Sequence, residues 1–202
     1  MSKGEATKLT ILDTALRLVR KLGFEAVSIN QLAKAVGMSK SGLFAHFNSK
    51  ESMHIMILDY AAESFSKKIF APALKVQRGE PRLRAIIENW VNWYGKQDRG
   101  SCPFVAAAVD YDAKPGQVKD RLQFHLRTLM SSISRSVQIA KDENHFHDKT
   151  DPDKAAYEIY SMILGYRVYR GPIAEERSDE FFQSALDDFF EKYSNNSKAK
   201  ES

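Results

Sequence analysis

The segment Ser28–Glu51, SINQLAKAVGMSKSGLFAHFNSKE, holds the side chains whose types and spacing can act on a polyanion. Ser28 and Gln31 make a Ser-x-x-Gln capping box that opens a helix. The N-terminus so capped can also face a phosphate, because its backbone N–H groups and dipole favour an anion. Gly37 permits a tight turn, and Ser39 caps a second short helix that begins Lys40-Ser41-Gly42. Two short helices joined in this way lay the second in the major groove of DNA. Lys40, Ser41 and Gly42 then stand at its N-terminal end, where base edges are met, and Gly42 allows close backbone approach. Lys40 can read guanine O6 and N7 or hold a phosphate, and the sequence leaves both open. Phe44 offers an apolar contact to a thymine methyl group. Asn30 and Gln31 can help along the backbone.

Positioning these groups requires a small helical frame. Leu9, Leu12, Leu16 and Val19 recur at helical spacing and predict a first helix over Ala6–Leu22, with Ala15 and Leu22 widening the stripe. Gly23 stops it and Phe24 follows as a hydrophobic plug. Ile29, Leu32 and Val36 face inward from the second helix, and Leu43 and Phe47 from the third, Lys40–Phe47. Asn48 or Ser49 caps a fourth helix predicted to run to Phe70, with Met53, Ile57, Ala61, Phe65 and Ile69 as its apolar set. Beyond it, further helices are expected over Arg82–Gln97, Pro103–Tyr111, Gln117–Ala140, Asp151–Tyr169 and Asp179–Tyr193, separated by proline and glycine breaks. No alternating strand pattern interrupts them, so the fold class expected is all-α. Its parts are a three-helix DNA-binding head with a helix-turn-helix over 1–48 and a ligand-binding and dimerisation body over 49–193. A disordered polar tail is expected over 194–202.

Composition agrees with that division. The chain has 202 residues and a net charge of +4. Residues 1–50 carry eight basic and three acidic side chains, net +5, and the remainder 22 and 23, net −1. A basic head on a near-neutral body fits a polyanion partner. The lone Cys102 excludes an internal disulfide framework and a multi-cysteine metal site. No apolar run reaches the roughly 18 residues a membrane span needs, and no secretory signal precedes the first helix, so the cytoplasm is the expected compartment. Neither a glycine-rich phosphate loop nor G-x-S-x-G nor H-E-x-x-H occurs, and no enzymatic activity, cofactor or metal is expected. His145, His147 and Asp148 lie in a polar loop and read as solvated groups rather than ligands.

One head contacts too few bases to define an operator. A homodimer reading a palindromic duplex is therefore expected. The last two helices are its expected interface. Ala155, Ile159, Ile163 and Tyr166 stand on the first, and Phe182, Leu186, Phe189 and Phe190 on the second, with Gly165 permitting close approach.

Leu43-Phe44-Ala45-His46-Phe47-Asn48-Ser49-Lys50-Glu51, with the capped helix pair and the amphipathic helix before it, resembles the DNA-binding head of the TetR family of transcriptional regulators. The segment Gly100–Phe104 is similar to a G-C-x-F run of some members, with one residue inserted. The resemblance implies phosphate contacts at His46 and Lys50, and a small-molecule pocket in the body. Candidates to line that pocket are Trp90, Trp93, Tyr94, Phe104, Phe124 and Tyr166, with Arg121 and His125 as polar members. Their character implies an apolar or aromatic effector. Phe44 stands where the family usually has tyrosine, so a hydroxyl able to reach a phosphate is missing: either that contact is lost, or a neighbour such as Ser41 or His46 supplies more of the anchoring. The function so implied is a repressor released from its operator by a ligand. The alternative is an architectural DNA-binding protein with no effector.

Overall fold

Helix α1, Lys3–Leu22, buries Ile11, Leu12, Ala15, Leu16 and Val19 along one stripe and ends at Gly23, whose φ of 85° is the left-handed conformation a helix stop needs. The computed structural model describes residues 3–93 and 101–195. α2 (Ile29–Val36) and α3 (Lys40–Phe47) follow with the predicted bounds and caps. At Gly37 (φ 69°) the chain turns through the left-handed region, and its N–H reaches back toward α2. Leu32, Leu43 and Phe47 are fully buried, as is Phe24. Leu9 and Leu22 depart from expectation, at 42% and 52% exposed. Leu9 borders an open groove of about 690 Å³ between α1 and the helix that begins at Lys50, whose walls include Leu12, Met56 and Tyr60. Leu22 sits in the last turn of its helix.

α4, Lys50–Phe65, is shorter than predicted. At Ser66 the α-helical ladder gives way to one π turn over Ser66–Phe70, then a three-residue helix, α5, Ala71–Ala73. Periodicity does not reveal such a turn, because the apolar residues on either side stay buried: Phe65, Ile69 and Ala73. The Asn89 side chain donates to the Ile69 carbonyl at 3.0 Å, within the wound-out segment.

The remaining helices are α6 (Glu80–Trp93), α7 (Pro103–Tyr111), α8 (Gln117–Asp142), α9 (Pro152–Arg170) and α10 (Ser178–Tyr193). α7 starts at proline, as its missing N–H permits, with buried Cys102 at the N-cap. Among the described residues the only strand-like pairing is an isolated antiparallel bridge between Phe146 and Ser194. It orders the first residues of the segment expected to be a tail. Asn195 also donates to the carbonyls of Asn144 and Phe146 at 3.0 and 3.1 Å. Residues 196–202 lie outside the described range.

Two compact units emerge from the packing. Of the described residues, 3–66 and 101–127 make one, and 67–93 and 128–195 make the other. In the first, α1 packs against α2, α4 and α7, and α7 also packs against α4. In the second, α9 packs against α10, and α5 against α6. Phe146, at the α8–α9 connection, is buried beside Phe189, Phe190 and Tyr193. No helix among the described residues is long and apolar enough to cross a membrane.

Candidate nucleic-acid interface

The α2 N-terminus is closed by both halves of the capping box: the Gln31 N–H donates to Ser28 Oγ at 3.2 Å, and the Ser28 N–H to Gln31 Oε1 at 3.0 Å. Ser39 does the same service for α3, accepting from the Gly42 N–H at 3.1 Å, with the Ser41 hydroxyl 3.2 Å away. That cap explains the glycine. A Cβ at position 42 would meet Ser39 Oγ at 3.1 Å and the Met38 side chain at 3.6 Å, so Gly42 makes room for the cap itself. The predicted role, room for approaching DNA, has a local packing reason beside it.

With Leu43 and Phe47 turned inward, α3 presents Lys40, Ser41, Phe44 and Ala45 outward. Phe44 is 45% exposed, a large apolar ring on a polar surface. His46 is half-buried in the last turn. Asn48, at φ 58°, closes the helix by donating its N–H to the Phe44 carbonyl at 2.9 Å. Ser49 then caps α4 through the Ser52 N–H at 3.0 Å. Lys50 is not simply displayed to solvent: its ammonium donates to the Glu25 carbonyl at 3.0 Å and lies 3.9 Å from the Glu25 carboxylate.

Behind this surface lies a cluster that local sequence reasoning missed. Asp110, at the C-terminal end of α7, accepts from the Phe24 and Glu25 N–H groups at 2.7 and 3.1 Å, tying down the turn that enters α2. Beside it, Tyr111 hydrogen-bonds His54 Nδ1, while His54 Nε2 faces the Val27 carbonyl at 3.3 Å. A carbonyl can only accept, so Nε2 carries the proton and the Tyr111 hydroxyl donates to Nδ1. Burial holds the His54 imidazole below its usual pKa, favouring this neutral form. Burial, followed by the negative charges of Glu25, Asp110 and Glu51, pushes the Tyr111 phenol up to about 12. Phe24 packs edge-on against both rings. Lys114 reaches the Glu25 carboxylate at 3.2 Å. Nothing near Ser28–Glu51 signals Asp110, whose partner is 86 residues away in sequence.

The candidates for an effector pocket divide between the two units. Phe104, Arg121, Phe124 and His125 fall in the first, and Trp90, Trp93 and Tyr166 in the second, while Tyr94 lies outside the described residues. His125 Nε2 meets Asp59 at 2.7 Å, and Arg121 meets the same carboxylate at 3.5 Å. Phe104 is buried between Phe65 and His125. Phe124 is 56% exposed, with the Arg121 guanidinium over its ring. Trp90 is buried against Tyr160, and Trp93 is half-buried. The Tyr166 hydroxyl donates to Asp179 at 2.6 Å and accepts from Arg170.

The residues expected at the dimer contact divide by burial. Ala155, Ile159, Ile163, Tyr166, Phe189 and Phe190 are buried within the protomer, so they hold α9 and α10 to their own chain. Phe190, for instance, lies under the Arg84 guanidinium, 3.6 Å from the ring centroid. Phe182 and Leu186 keep partial exposure. The exposed apolar groups of these helices are instead Tyr157, Val168, Tyr169 and Phe181. Around Tyr169, Phe181 and Gly165 lies an apolar cavity of about 300 Å³. The two loop histidines are engaged as well: His145 accepts from the Glu80 N–H, and His147 bonds the Lys192 carbonyl.

A capped helix pair presenting a basic, partly apolar recognition helix defines a helix-turn-helix protein of the regulator class. Two family models match it: "Bacterial regulatory proteins, tetR family" over residues 11–54, and "Tetracyclin repressor-like, C-terminal domain" over 79–177. The chain belongs to the TetR family. It is 25% identical over 177 residues to the HTH-type transcriptional regulator YuxN of Bacillus subtilis, an alignment taking in 82% of this chain and 58% of that protein, so the chain spans little more than half that relative's length. In solved structures it is similar to a TetR regulator of Chloroflexus aurantiacus (TM-score 0.79, 23% identity, 94% and 95% of the two chains). SCO4454 of Streptomyces coelicolor is similar too (TM-score 0.80, 16% identity, 94% and 96%). So is AibR, solved with isovaleryl coenzyme A and operator DNA (TM-score 0.70, 19% identity, 93% and 97%). At these identities the structural likenesses establish the fold.

Proposed function

We propose that this protein is a dimeric DNA-binding transcriptional repressor, released from a palindromic operator by a small apolar or aromatic molecule. The observation that carries the reading is the outward face of α3, where Lys40, Ser41 and Phe44 stand together on a helix locked by its caps. Residues 1–48 act as the head and 49–193 as the body. Lys40 and Ser41 meet base edges or flanking phosphates, Phe44 a thymine methyl, and Ser28, His46 and Lys50 the backbone.

Dimerisation through α9 and α10 is supported by Gly165. A mid-helix glycine costs about 1 kcal/mol relative to alanine. A Cβ there would meet nothing within 4 Å in its own chain, so its smallness answers no need of the protomer. Exposed Tyr169 and Phe181 beside it add the apolar area a second copy would cover. AibR, whose structure was determined with both an acyl-coenzyme A and operator DNA, is a precedent in this fold for a ligand and a duplex on one protein. An effector acts only by binding the released state more tightly than the DNA-bound state.

Selecting bound sequences from a random duplex pool tests the reading. A palindromic consensus is expected, and a compound screen against that duplex should yield one that lowers its affinity. Many unrelated sites and no releasing compound would overturn the repressor reading in favour of an architectural one. Lys50→Ala should flatten the slope of log K against log salt by about one unit per head.

A further inference from the structure

Lys114 lies in the α7–α8 connection, far in sequence from the helix-turn-helix, yet it shares an anion with Lys50. Its ammonium is 3.2 Å from one Glu25 oxygen, and the Lys50 ammonium is 3.9 Å from the other. All three side chains are about half exposed, with Lys114 at 53%. The Lys114 hydrogen bond, with the Lys50 charge behind it, holds the Glu25 carboxyl below its ordinary range. The loop carrying Lys114 is also anchored. Asp110 grips the Phe24 and Glu25 N–H groups, Tyr111 bonds His54, and the Lys114 ammonium sits 5.7 Å from the Tyr111 ring centroid. At the far end of the loop, a Cβ on Gly116 would come within 3.6 Å of the Glu51 carboxylate, so this stretch lies along the start of α4. A carboxylate is thus held between two ammonium groups at the edge of the proposed DNA-binding face. A phosphate fits the same arrangement, since both anions accept from Lys–NH3+ as a point charge.

We propose that Lys114 is a DNA-phosphate contact supplied from outside the helix-turn-helix, and that Glu25 is the internal anion that holds Lys114 and Lys50 in place until a phosphate displaces it. The proposal rests on the DNA-binding reading above. Exchange is easy, because exposed ion pairs of this kind contribute little. Transfer of two ammonium groups to phosphates also releases counterions from the duplex. Glu25 orients the two lysines in the free protein and, by its own charge, restrains binding to DNA.

The test uses the full chain and a labelled duplex of about 30 base pairs, long enough for two half-sites one turn apart, drawn from the selected pool. Binding is measured across a salt series for wild type, Lys114→Ala, Lys114→Arg, Glu25→Gln and the Glu25→Gln/Lys114→Ala pair, each shown to be folded by circular dichroism. Lys114→Ala should weaken binding and flatten the salt slope by about 0.9 per head, while Lys114→Arg keeps the slope. Glu25→Gln should tighten binding roughly threefold to tenfold at low salt. The slope loss from Lys114→Ala should persist in the Glu25→Gln background. An unchanged slope in Lys114→Ala, or a loss that vanishes once Glu25 is neutral, overturns the proposal, the latter because Lys114 would then act only through Glu25. Lys50→Ala separates the two levels. A slope that responds to Lys50 and not to Lys114 leaves the DNA-binding reading standing and removes this contact alone. A wild-type chain that binds no duplex in the pool removes both.

Discussion

Helices α2 and α3 at one end of the chain and α9 and α10 at the other carry equally plain sequence patterns, and they yield unequal knowledge of function. In the first pair, short-range bonds fix where each helix begins: Ser28 with Gln31, and Ser39 with Gly42. With Leu32, Leu43 and Phe47 filling the small core, the residues left over are the ones proposed to meet DNA. The second pair is rich in aromatics on several faces. An aromatic ring suits a core and an interface alike, so the pattern names a buried residue without saying what buries it. Here Phe189 and Phe190 went to the protomer core, and Tyr169 and Phe181 were left outside.

The sharpest way to break this contrast is at Phe190. If it belongs to the protomer, Phe190→Ala should cost about 3–5 kcal/mol of folding stability by emptying a packed site beside Phe146 and Arg84. Urea denaturation at several protein concentrations reads the loss. A destabilisation present only where wild type is dimeric would return Phe190 to an interface.

Gly165→Leu probes the other face of the same helices. Its side chain enters open space in the protomer, so the monomer should fold normally or slightly better. At the centre of a pairing surface it should weaken the dimer by about 2 kcal/mol, some thirtyfold. Sedimentation over a concentration series measures this. A variant as dimeric as wild type would exclude the surface around Gly165, and the pairing would have to be sought elsewhere on the chain.

The same contrast accounts for what was legible. Caps, the stops at Gly23 and Gly37, and most apolar stripes are local events, and the sequence read them to within a few residues. Leu9 was misread because periodicity marks an apolar face without its far wall, which here opens into a groove. The π turn at Ser66–Phe70 left no trace, since buried residues recur on both sides of it. Asp110, Tyr111 and Lys114 were invisible as partners of the head because their meaning lies in Phe24, Glu25 and His54, which only tertiary packing brings to them.

Ser28→Ala gives a smaller effect that tests the local half of the contrast. Losing the hydroxyl half of the capping box should cost about 1 kcal/mol. If the α2 cap also faces a phosphate, DNA binding should weaken beyond what partial unfolding explains, in measurements made well below the melting temperature. A stability loss with unaltered affinity would leave Ser28 a cap and nothing more.

The smallest effect we expect concerns His54 and appears only as a slope against pH. Burial keeps the folded imidazole's pKa below the ordinary 6.5, so the folded state binds its proton less readily than the unfolded state. The stability this contributes is fully present above about pH 6.5 and is lost as pH falls toward the folded value. Lys50 opposes protonation, the Val27 carbonyl, Glu25 and Asp110 favour it, and the Tyr111 hydroxyl, by donating to Nδ1, holds the neutral ring. Wild type should therefore lose more melting temperature than His54→Gln between about pH 7.5 and 5.5. Equal losses would mean that acid acts through other groups. A larger loss in wild type would show that a junction built from distant parts of the chain is titrated as one unit with the turn that leads into α2.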